Sequence, residues 1–81
     1  MLTKQHLPNL VLDALRQLGG SGTVVEVTRE VWLQNEPQLR ASGDLFYTWQ
    51  YDLRWAAQHL RNEGQLAPTS RGAASRWTLA I

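Results

Sequence analysis

With 81 residues, 43% of them hydrophobic, no cysteine and a net charge of +1, the chain is sized for a single domain over 1–81 held together by packing alone. The lack of cysteine excludes disulfides and thiolate metal sites, and His6 and His59 have no ligand-like spacing, so neither a metal nor a cofactor is expected. No run approaches the ~20 apolar residues of a membrane span and the first residues show no secretion-signal pattern, so a soluble, cytoplasmic domain with no membrane partner is expected.

The spacing of Leu7, Leu10, Val11, Ala14, Leu15 and Leu18 predicts a first helix from Pro8 to Leu18, with proline in its first turn. Gly19-Gly20-Ser21-Gly22 ends it. Glycine clusters can cradle phosphates, but here no strand precedes and no Lys-Ser/Thr follows, so a helix stop and turn is the reading. Thr23-Val24-Val25-Glu26 matches a capping box. A second helix is predicted from there to about Asn35, with Val24, Val27 and Val31 on one face and Trp32 at its edge. Thr23 is also placed to pair briefly with a later hairpin as a short third strand. Leu33 points off the apolar stripe, toward a contact with the segment that follows.

Glu36 to Asp44 reads as irregular, with one helical turn around Pro37 to Ala41 and with Leu39 and Leu45 pinned to the core. That makes the connection longer than the plain turn of a helix-turn-helix. A third helix follows over Thr48 to Glu63. At 100° per residue Trp49, Leu53, Ala56, Ala57 and Leu60 form its core face, and Tyr47, Gln50, Tyr51, Arg54, Gln58, Arg61 and Asn62 its outer face. Gly64 is a left-handed stop. A two-strand hairpin closes the chain: Leu66-Ala67, a tip of Pro68-Thr69-Ser70-Arg71-Gly72, and Ser75 to Leu79. In it Trp77 and Leu79 face the helices, while Arg76 and Thr78 face out.

A helix leading at once into a β-hairpin, with arginines on the outer side of both, is the arrangement of a winged helix-turn-helix. The expected fold is α+β: three helices packed on a small antiparallel β-hairpin wing. Residues 1–53 set Lys4, Arg16, Arg29 and Arg40 against six carboxylates. Residues 54–81 set Arg54, Arg61, Arg71 and Arg76 against Glu63 alone, so positive charge gathers on the third helix and wing. Arg54, Gln50 and Gln58 are of types that read base edges, Arg61, Arg71 and Arg76 of a type that holds phosphates, and Tyr47, Tyr51, Thr69 and Ser70 can donate to phosphate. A solvated helix face and a purely structural wing are the plain alternatives. Trp55, at the border of the two faces, is read as packing, and His59, on the same side as Asp52, as structural. No acid–base, nucleophilic or metal motif stands at useful spacing, and a domain this small has little room for a cleft, so no enzymatic activity is expected.

From Leu7 through Leu79 the chain resembles the N-terminal winged-helix domain of Mrr-type restriction proteins. The resemblance rests on Leu7-Pro8 with the first helix, Ser42-Gly43-Asp44-Leu45-Phe46-Tyr47, Trp55-Ala56 with Leu60 and Gly64, Ser70-Arg71-Gly72, and Trp77-Thr78-Leu79. It departs in carrying Tyr51-Asp52 where that family commonly has Asn-Arg, in a short insertion between Tyr47 and Trp55, and in a longer wing through Ala73-Ala74-Ser75-Arg76. The resemblance implies a bacterial restriction–modification setting, with double-stranded DNA as partner and cutting left to a separate nuclease domain absent from these residues. A net charge of +1 is low for a DNA binder acting alone, so dimerisation or fusion to an effector is expected to supply avidity. The competing expectation is a winged helix used for protein–protein interaction or dimerisation.

Overall fold

The computed structural model describes residues 2–68 and 76–80. After a 3₁₀ turn, Lys4–His6, helix α1 spans Leu7–Gln17 with Pro8 in its first turn. Leu7, Val11, Ala14 and Leu15 are fully buried, as their spacing predicts, and Leu12 joins them although it lies off the predicted stripe. The α1 backbone closes through Gly20 N–H donating to Leu15 at 2.7 Å and Gly19 N–H to Arg16 at 3.2 Å, the paired bonds of a Schellman stop.

The fold is a winged helix-turn-helix of the α+β class, but its sheet is paired differently from the expected hairpin. Strand β1, Ser21–Thr23, runs antiparallel to β2, Arg76–Thr78, in the register Ser21–Thr78, Gly22–Trp77 and Thr23–Arg76. The brief pairing foreseen for Thr23 is thus the main ladder. Among the described residues the Leu66-Ala67 side meets β2 through a bridge from Leu66 to Leu79, with bonds from Ala67 N–H to Thr78 at 2.9 Å and from Ala80 N–H to Gln65 at 3.1 Å. Gly22 lets β1 lie against the end of α1, because a Cβ there would meet Leu18 Cδ1 at 2.9 Å. Trp77 is buried and Leu79 packs on the core, while Arg76 and Thr78 are exposed, as the alternation predicts.

Helix α2, Val24–Arg40, begins with the predicted capping box: Glu26 N–H donates to Thr23 Oγ1 at 3.1 Å and Thr23 N–H to Glu26 Oε1 at 2.8 Å. It runs five residues beyond the predicted end, across a kink at Asn35 (φ −132°, ψ 17°). Pro37 causes the break, since it has no N–H for the carbonyl one turn earlier and its ring crowds the preceding backbone. Leu33, expected to touch the following segment, is 65% exposed and does not join the core cluster. With α2 reaching Arg40, only Ala41–Asp44 connects it to α3, Leu45–Asn62. The connection is therefore the short turn of a helix-turn-helix rather than a long irregular one. Leu39 and Leu45 pin it to the core, as predicted.

Helix α3 starts three residues before the predicted Thr48. Its first turn is closed by short-range bonds from Leu45, Phe46 and Tyr47 N–H to Ser42, Gly43 and Asp44 carbonyls at 3.0–3.3 Å, with no side-chain cap. Trp49, Leu53, Ala56, Ala57 and Leu60 are all buried against α1 and α2. The helix ends where Gly64 adopts φ +77° and Gln65 N–H donates to Leu60 at 2.8 Å. An L side chain is strained in that conformation even though open space surrounds the position. Gly64→Ala is therefore expected to lower unfolding free energy by about 1–2 kcal/mol, read as a lower urea midpoint with unchanged slope.

Candidate nucleic-acid interface

The core face of α3 fixes what its other side presents. Tyr47 and Tyr51 are 83% and 80% exposed, and Gln50, Arg54 and Gln58 are exposed with them. Asp52 is the only carboxylate within α3 and lies off this face, while Asp44 is exposed at the helix N-cap. Asp52, on the flank, is half-buried and accepts from the Thr48 hydroxyl at 2.9 Å, and Glu63 lies past the helix end. Gln58 donates to Asn62 at 3.1 Å, an exposed bond that a stronger acceptor can replace.

The arginines divide into two sets. Arg16 pairs with Asp13 at 3.0 Å and Arg40 with Glu36 at 2.8 Å, and the Arg40 guanidinium also lies 5.1 Å from the Trp32 ring centroid. Arg29, Arg54 and Arg76 make no ion pair among the described residues. Arg61, expected to be exposed, is half-buried, and its Nε is shut off from solvent with no hydrogen-bond partner among the described residues. Thr69, Ser70 and Arg71 lie outside the described residues.

Arg76 is anchored rather than splayed. Its Nε donates to Ser21 Oγ at 2.8 Å, and Ser21 in turn bonds the Thr78 hydroxyl at 3.1 Å across the ladder. This sets Arg76 beside the first turn of α2. The Thr23 backbone N–H, helped by the Thr23 hydroxyl, Arg76 and Arg29, holds the Glu26 carboxyl below its ordinary range. Arg29 therefore belongs to this surface, although it lies in the acidic half of the chain, residues 1–53. The only sequence signal for it was its position one turn after Glu26.

Between α2 and α3 lies an open groove of about 740 Å³ that the size argument did not anticipate. Trp32 and Trp49 stack at 5.9 Å and 9°, and with Phe46 they form its floor. Val25 and Tyr51 are its exposed apolar walls, with Arg29 and Arg54 at the rim. Trp55 is packed, as expected: it stacks on His59 at 5.3 Å, and Lys4 Nζ sits 4.7 Å from its ring centroid. His59 places Nε2 3.3 Å from Glu63 Oε1. No helix of the described residues is long and apolar enough to cross a membrane, and no cluster of His, Asp and Glu among them is arranged to hold a metal ion.

Compared with protein-family models, characterised proteins and solved structures, the chain matches none.

Proposed function

We propose that this domain binds double-stranded DNA, with α3 in the major groove and the wing on the flanking backbone or minor groove. The observation that carries the reading is the α3 outer face: free of carboxylates, with exposed side chains of base-reading type and an unpaired Arg54 among the described residues. Arg54 and Gln58 read base edges, Gln50 stands beside them, Tyr47 and Tyr51 donate to phosphates, and Arg61, Arg71 and Arg76 hold the backbone, with Thr69 and Ser70 at the wing. In this proposal the domain serves as the DNA-recognition part of a bacterial, cytoplasmic restriction system like those of Mrr-type proteins. It has no nuclease activity of its own and gains avidity by dimerisation or from a fused effector.

The groove between α2 and α3 favours a second reading, a protein-docking module, because Val25 and Tyr51 expose apolar surface beside an aromatic floor. Salt dependence separates the two. About four cationic contacts to the duplex, Arg54 with Arg61, Arg71 and Arg76, release counterions and give log K against log[salt] a slope of about −3.6. Fluorescence anisotropy of a labelled duplex across a salt series is expected to show that slope. Binding with little salt dependence, or none to any duplex, would favour the docking module.

A further inference from the structure

Glu26 is an anion set into the surface proposed to meet DNA. The strand register puts Arg76 opposite Thr23, and Thr23 holds the Glu26 carboxylate through its backbone N–H at 2.8 Å. Arg76 is fixed at the same edge by its bond to Ser21, and Arg29 lies one turn along α2. Neither guanidinium makes a direct ion pair with Glu26, and both residues are exposed, so each remains open to a second anion.

We infer that Glu26 acts as a resident counter-anion that holds duplex affinity down, and that Arg29 and Arg76, on either side of it, extend the DNA footprint from α3 across the first turns of α2 to β2. The inference rests on the duplex-binding reading above. A DNA phosphate approaching these two guanidinium groups meets a carboxylate that the capping box prevents from swinging away. Repulsion between that charge and the phosphate offsets part of the attraction of the arginines. Both cations also lower the Glu26 carboxyl, so the carboxylate stays charged near neutral pH. The result is a weak grip on arbitrary duplex, which leaves discrimination to the base-reading side chains of α3.

Glu26→Gln tests this, because glutamine serves the same capping box while removing the charge. Thermal unfolding followed by circular dichroism checks that the cap survives. The variant is expected to bind a duplex about three- to tenfold more tightly at low salt, with a salt slope steeper by about one unit. Unchanged or weaker binding by a folded variant overturns the inference while leaving the parent's DNA binding in place. A parent that binds no duplex overturns the underlying reading instead. Arg29→Gln supplies a second measure: it is expected to cost more affinity in the Glu26→Gln background than in the parent. Equal losses in both backgrounds would also overturn the proposal.

Discussion

Trp49→Ala is expected to remove about 3–5 kcal/mol of unfolding free energy. The indole is only 3% exposed and stacks on Trp32 from α2, so it joins the two helices whose relative placement defines the motif. A domain of 81 residues has a total stability of roughly 4–12 kcal/mol, and with no cysteine no disulfide can make up the loss. The substitution should therefore bring the protein close to its unfolding threshold. Urea unfolding followed by far-ultraviolet circular dichroism measures the effect. A loss below about 1 kcal/mol would mean that α2 and α3 are held mainly elsewhere.

Arg54→Ala is expected to weaken duplex binding by about 1–3 kcal/mol and to relax preference at one base position. The side chain is exposed on the outer face of α3 and has no ion-pair partner among the described residues, so truncation removes no intramolecular contact of consequence. Stability should accordingly stay within about 0.5 kcal/mol of the parent. Arg16→Ala is the matched control. It removes the same charge from the exposed side of α1, where Arg16 already pairs with Asp13. Competition binding with a set of single-base variants measures both affinity and preference. Equal affinity of the Arg54 variant and the parent for every duplex would remove Arg54 from the interface.

What could be read in the sequence was whatever is encoded by local chemistry. The core face of α3 follows from a single periodicity, the capping box from Thr23 and Glu26 three residues apart, and the α3 stop from Gly64. The long-range pairings were harder to see. Ser21-Gly22-Thr23 has no apolar alternation, so nothing local marks it as a strand, and its partner β2 lies more than 50 residues away. The second helix is expected to end near Asn35, whereas the chain kinks there and resumes, with the Asn35 side chain donating to the Val31 carbonyl at 3.0 Å. Arg29 was hidden by its neighbours in sequence: Glu26 and Glu30 make its segment acidic, and only the packing of α2 against α3 sets it on the rim with Arg54. The same packing creates the groove, because Trp32 and Phe46 meet only when the helix-turn-helix closes.

The most direct test is to record backbone amide resonances of the labelled domain while adding a short duplex. The largest shifts are expected on α3 from Tyr47 to Gln58 and on the first turns of α2 around Arg29, with the outward side of α1 near Asp13 and Arg16 unmoved. Shifts concentrated on α1, or a spectrum left unchanged by saturating duplex at low salt, would contradict duplex binding through α3.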